Sequence, residues 1–323
     1  MGRSNLSVFK KLILLAFAWF CFNPSFGQQI PFNPVSYRIY SPFIINPAIA
    51  GSKDYFSVDM LAGFNGKSYS QILSGNTRIT KKVMGYLPSG RTYSYTNIGT
   101  GFSAYNDFQT ADSTHNAGIS AAASYHIPLN KKALSFLSIG AMVKGMYHFN
   151  EGDPDRSIPY KEFYFPNLDI GLYLYNPNTY AGISVTNLLN PPKDTAILAN
   201  YRIPLSRQYN FIAGYKIVIS RELNLVLEPS ILIHTDDSLS FDVKKNIEPA
   251  LKLYAGNFCL GTYFNDYSKI SFFFQYRYPS FYVGTYFALP KKSPFFKKSL
   301  TSEIALGINF SPNKSGYTKN GHW

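Results

Sequence analysis

Apolar and polar residues alternate one by one through most of this chain, and a spacing of two admits strands, not helices. Between Glu222 and Thr235, Leu223, Leu225, Leu227, Ile231 and Ile233 share one face, broken at Pro229. Glu222, Asn224, Glu228 and Ser230 share the other. Leu168, Ile170, Leu172 and Leu174 likewise oppose Asp169, Gly171, Tyr173 and Tyr175. Ile304, Leu306, Ile308 and Phe310 oppose Glu303, Ala305, Gly307 and Asn309. About fourteen such segments fit between residues 54 and 310, separated by turn residues.

What the apolar faces are covered by follows from the charge content. Only 15% of residues are charged and 17% are aromatic, whereas soluble domains carry about 25% charged residues. Past the extreme N-terminus no run approaches 18 apolar residues, which excludes membrane-spanning helices. Strands with one lipid face and one wet face satisfy both facts. A secreted β-sandwich would carry more charge outside and would have little use for Phe272-Phe273-Phe274. The prediction is an all-β transmembrane antiparallel β-barrel of about 14 strands, its even count placing both termini in the periplasm.

The N-terminus reads as an export signal. Arg3, Lys10 and Lys11 precede an apolar core, Leu12 to Phe22, and Ser25-Phe26-Gly27 supplies small residues at −3 and −1. Cleavage is expected between Gly27 and Gln28. Phe20 before Cys21 argues against a lipoprotein. The expected organisation is a signal peptide (1–27), a periplasmic segment (28–53), the barrel (54–310) and a periplasmic tail (311–323), all in a bacterial outer membrane. Removing Arg3, Lys10 and Lys11 from 31 basic residues leaves 28 against 18 acidic, a net charge of +10. Lysine pairs such as Lys131-Lys132 and Lys291-Lys292 lie in or beside turns. They face lipopolysaccharide or inner-leaflet phosphates, or simply solubilise loop tips; an exported protein meets no nucleic acid. Cys259 would be the one remaining cysteine, so no internal disulfide forms.

Short turns at 176–178, 220–221, 256–257 and 278–279 are expected at the periplasmic end, and longer loops at 150–163, 189–206 and 289–299 outside. The connection at 81–93 is long for its side. Glycines recur on the lumenal register: Gly99, Gly101, Gly118, Gly171, Gly182, Gly214, Gly261, Gly284 and Gly307. They serve either sheet curvature or a channel kept open by small residues. Asp169, Glu228 and Glu303 with Lys216, Arg277 and Lys252 form a candidate charged interior. Arg at Leu306 is expected to be costly, Ser at Gly307 milder.

Reactive constellations are few. The five histidines have no metal-ligand spacing, and no nucleophile elbow or phosphate loop occurs. His234-Thr235-Asp236-Asp237 is read as a solvated loop before a metal site. No enzyme activity, cofactor or metal is expected. Aromatic and Arg residues favour interfaces, so Tyr160, Tyr201 and Arg202 in the outer loops are the candidate partner contacts.

Several motifs occur in an order that resembles one family. Asn46-Pro47-Ala48-Ile49-Ala50-Gly51 resembles the "NPA-x-AG" opening of the PorP/SprF family of type IX secretion in Bacteroidetes, with Ile49 where an aromatic is more usual. Ile98 to Asp107, Pro204-Leu205-Ser206-Arg207 with Tyr209, Gly214 and Tyr215, then Pro229-Ser230 and Glu303-Ile304 follow in the family's order, with Ser302 replacing a His. The resemblance implies a non-enzymatic barrel that helps a secreted partner, such as a large adhesin, leave the cell or stay attached. It implies a partner with a type B C-terminal sorting domain, and a periplasmic component of the secretion system. A small-solute porin is the alternative.

Overall fold

In the computed structural model, residues 39–53, 55–65, 68–83, 92–109, 114–130, 134–150, 161–189, 207–236, 243–265, 269–277, 281–290 and 301–310 are described. They form a closed antiparallel barrel of fourteen strands. These are β1 (Phe56–Asn65), β2 (Ser68–Val83), β3 (Thr92–Gln109), β4 (Thr114–Asn130), β5 (Ser135–Asn150), β6 (Lys161–Tyr175) and β7 (Thr179–Thr186). β8 (Gln208–Tyr215, continued by Ile217–Ser220), β9 (Leu225–Asp236), β10 (Ile247–Ala255) and β11 (Phe258–Asn265) follow. β12 (Lys269–Arg277), β13 (Phe281–Pro290) and β14 (Thr301–Phe310) complete the wall. Each strand pairs with the next, and β1 closes on β14 from Phe56↔Phe310 to Asn65↔Thr301. Lipid requires such closure, because an open edge would leave N–H and C=O groups without water or partner.

The alternation assigns the two faces as expected. Ile304, Leu306 and Phe310 are 45–49% exposed, whereas Glu303, Ala305 and Asn309 are buried in the lumen. Two outward aromatic bands flank the apolar wall. Near one end Tyr69, Phe108, His115, Tyr147 and Tyr164 run ring to ring across β2–β6, at centroid distances of 5.5, 6.2, 6.3 and 4.6 Å. Near the other, Phe56 stacks on Phe310 at 5.7 Å and Phe258 meets Tyr276 at 4.8 Å. Aromatic girdles of this kind mark the two membrane interfaces of outer-membrane barrels.

Four local expectations change. The β8–β9 ladder is interrupted between Gly214↔Ser230 and Ile217↔Leu227, where Pro229, with no N–H to give, falls opposite Tyr215; the Lys216 amide faces the other neighbour and donates to the Asn178 carbonyl at 2.7 Å. The strand expected over 239–254 begins only at Ile247, after a helical turn at Val243–Asn246. The strand expected from Glu222 begins at Leu225, because 221–224 is a turn with Asn224 at φ +48°. The long connection at 81–93 shortens to 84–91, since β2 and β3 extend into it.

Gly307 is also constrained by packing. A Cβ there would collide with the Tyr282 ring, which is buried, stacked on Tyr40 at 5.7 Å and donates a hydrogen bond to Asp59. Leu306→Arg is expected to destabilise the barrel by about 2–4 kcal/mol, the cost of Arg near the bilayer midplane. Gly307→Ser should cost about 1–3 kcal/mol, as overpacking does. Urea unfolding in liposomes measures both; a harmless Leu306→Arg would mean that the faces are inverted.

Candidate functional site

The segment ahead of β1 was expected in the periplasm, but its described part, 39–53, lies inside the barrel. Two short 3-10 turns, Pro42–Ile44 and Pro47–Ile49, fold it into a plug. Ser41, Phe43, Asn46, Ala48 and Ala50 are each at most 1% exposed. A segment this short has no core of its own, so it is held by the wall.

The residues of the opening motif each have a task there. Asn46, extended at φ −136°, accepts the Ala48 N–H on its Oδ1 and so starts the second turn, which Pro47 pre-sets. Its Nδ2 donates to the carbonyls of Leu172 (3.0 Å) and Ile183 (3.2 Å), on neighbouring strands β6 and β7. Pro47 and Ala48 lie on Gly140, and Asn46 on Gly171, so closely that no Cβ fits at either glycine. The Ala50 carbonyl accepts from Ser124 Oγ at 2.6 Å and from His126 Nε2 at 2.9 Å. Tyr175 donates to His126 Nδ1 (2.9 Å) and Arg78 donates to the Tyr175 oxygen (3.0 Å), so these partners assign the imidazole proton to Nε2. Gly51 then reverses the chain at φ +68°, pressed between Gly99 and the Thr77 carbonyl, a conformation and a space open only to glycine.

At the far side of the plug, Ser41 shares a 2.5 Å hydrogen bond with Ser74, Phe43 lies over Gly101, and Tyr40 lies over Gly284. Ile39 packs toward Tyr263, Phe273 and Tyr286. The plug therefore reaches the wall in several directions across the lumen. The lumenal glycines serve neither of the purposes expected of them alone. Gly99, Gly101, Gly140, Gly171 and Gly284 make room for the plug, whereas Gly118, Gly214, Gly261 and Gly307 lie under cross-strand rings of Tyr105, Tyr180, Phe273 and Tyr282.

The charged interior is partly as expected. Glu228 accepts from Lys252 at 2.9 Å, Tyr180 at 2.8 Å and Tyr254 at 3.1 Å, and the β8–β9 register sets Lys216 opposite it. Asp169 is paired by Lys144 at 2.6 Å, a partner the alternation alone did not single out. Glu303 is buried, with one carboxylate oxygen unpartnered among the described residues. The side chain of Arg277 lies outside the described residues.

Lys144 and Asp169 belong to a second construction, at the root of the 187–207 connection. Asn187, in the left-handed region at φ +58°, donates its N–H to Asp169 at 2.9 Å. Asn167 Oδ1 accepts from the Leu189 N–H at 3.2 Å, and Arg207 reaches back to the Leu188 carbonyl at 3.4 Å. Both ends of this connection are thus tied to the wall and to each other. Tyr201 and Arg202, like Tyr160, lie outside the described residues. Of the other motif residues, Tyr209 faces outward on β8, Gly214 lies under Tyr180, and Pro229 breaks the ladder. His234 comes within 3.9 Å of Glu248. Among the described residues, no three His, Cys, Asp or Glu side chains converge on a metal position.

Residues 29–308 match the sequence profile of the type IX secretion system membrane protein PorP/SprF. The chain belongs to the PorP/SprF family. It is therefore a type IX secretion membrane barrel of outer-membrane architecture. No curated protein matches this PorP/SprF member significantly. Among solved structures it is similar to BamA from Haemophilus ducreyi lacking POTRA domains 1–3 (10% identity, 80% of this chain, 71% of that chain, TM-score 0.37). It is also similar to CdiB from Acinetobacter baumannii (8%, 79% and 60%, TM-score 0.39) and to outer membrane phospholipase A from Escherichia coli (11%, 80% and 93%, TM-score 0.34).

Proposed function

We propose that this PorP/SprF barrel is a non-enzymatic docking component that binds one secreted surface protein and helps it leave the cell or stay attached. The observation that carries the reading is the plug, bonded to wall carbonyls and seated on glycines that leave no clearance. A lumen crossed in this way favours work at the barrel's rim over passage of small solutes. The partner would present a type B C-terminal sorting domain, and a large adhesin suits that description. Contact falls to the outer loops, with Tyr160, Tyr201 and Arg202 as candidate anchors; the tied root at Asn187 and Arg207 limits the entropy lost when such a loop is ordered. Signal cleavage before Gln28 and periplasmic termini would leave the opposite rim for a secretion-system component, while the turn lysines meet lipid or lipopolysaccharide phosphates.

Deleting the gene tests this directly. One secreted protein should vanish from the cell surface while small-solute uptake stays unchanged. Altered uptake with all surface proteins intact would instead identify a porin.

A further inference from the structure

The outer wall carries a hollow directly behind the plug. It has a volume of about 990 Å3 and crosses β3 to β9 on the lipid-facing side. Ile98, Ile139, Ile170, Ile183 and Phe211 line it, 39–53% exposed, and the small side chains of Ala123 and Ala141 leave its space open. Asn46 is bonded to the carbonyls of Leu172 and Ile183, and both of these residues turn their side chains into the hollow. On the inner face of the same stretch of wall, Gly140 and Gly171 are in contact with the plug.

We propose that this hollow is a lipid site, which seats the acyl chains of a membrane phospholipid as a bound molecule. The lining is apolar and lies between the two aromatic bands, where hydrocarbon is the solvent. Every strand from β4 to β8 is paired on both sides, so no extended segment of another protein can add itself there. None of the described lining residues is Lys or Arg, the side chains that lipopolysaccharide phosphates would require. A second copy related by a two-fold axis would set one concavity against another and forfeit contact. A flexible acyl chain fits a curved apolar surface without these costs.

The test uses the full chain, folded in detergent with palmitoyl-oleoyl phosphatidylethanolamine, stripped by detergent exchange and weighed intact by native mass spectrometry. The wild-type barrel should keep at least one phospholipid. Ala141→Trp and Ala123→Phe, which fill the hollow from two positions, should each lower retention roughly tenfold, equivalent to about 1.4 kcal/mol. Ile304→Trp, on the far wall, should retain lipid as the wild type does. Heat-dependent gel mobility identifies the folded variants, and either filling variant suffices. Equal retention in filling and control variants would overturn the proposal. So would preferential capture of lipopolysaccharide from a mixture, or a barrel dimer abolished by Ala141→Trp.

Discussion

A barrel carrying Gly140→Val and Gly171→Val is expected to conduct ions in a planar bilayer under conditions where the wild-type barrel stays closed. A Cβ at position 140 would meet the backbone of Pro47 and Ala48, and one at position 171 would meet the Asn46 amide. Backbone cannot step aside as a flexible side chain can, and overpacking of this kind costs about 1–3 kcal/mol per site. The displaced plug would also forfeit its bonds to the carbonyls of Leu172, Ile183 and the side chains of Ser124 and His126, worth about 0.5–1.5 kcal/mol each. Valine is a good strand residue, so the wall itself should persist. Single-channel recording decides the matter. A closed double variant would show that something other than residues 39–53 seals the lumen, and a conducting wild type would contradict the closed reading outright.

Lys144→Met is expected to destabilise the barrel by about 3–5 kcal/mol, the usual cost of removing one partner from a buried ion pair. Asp169 is fully buried and Lys144, 16% exposed, is partly buried, at 2.6 Å from each other. Without the ammonium, the Asn187 N–H at 2.9 Å is the carboxylate's remaining hydrogen-bond donor among the described residues, and its desolvation is no longer offset. The double variant Lys144→Met with Asp169→Leu should recover most of the loss, since replacing both ions by apolar groups is often neutral. Equilibrium unfolding in liposomes measures all three proteins. A single variant as stable as the wild type would mean that water reaches Asp169 and replaces the lysine.

The fold was legible because a strand has only two faces. Once Leu168, Ile170, Leu172 and Leu174 are assigned to lipid, Asp169 and Tyr173 must face the lumen, and a slip of one residue would reverse every assignment. The structure places them so. Pairs between strands were less legible. Asp169 and Lys144 are 25 positions apart, and only the β5–β6 register, with Lys144 opposite Asn167, brings them together. The motif Asn46 to Gly51 could be seen but not placed, because it has no period and no partner nearby in the chain. Asn46 is 126 residues from Leu172 and 137 from Ile183. The nearest signal was the run of glycines on the lumenal register of β3, β6 and β7, which reads equally well as curvature.

By itself, then, the order of residues determined a closed sheet of about fourteen strands, which side of it meets lipid, and the family to which it belongs. The sheet and its faces follow from alternation and local turn chemistry, which act over a few residues; the family is legible only in the ordered set of short motifs from Asn46 to Glu303. The tertiary structure decided what occupies the lumen, which charges pair, and where the outer wall is hollow. Each of these depends on contacts between strands far apart in the chain. They exist only after β1 has closed on β14 and enclosed the segment that precedes it.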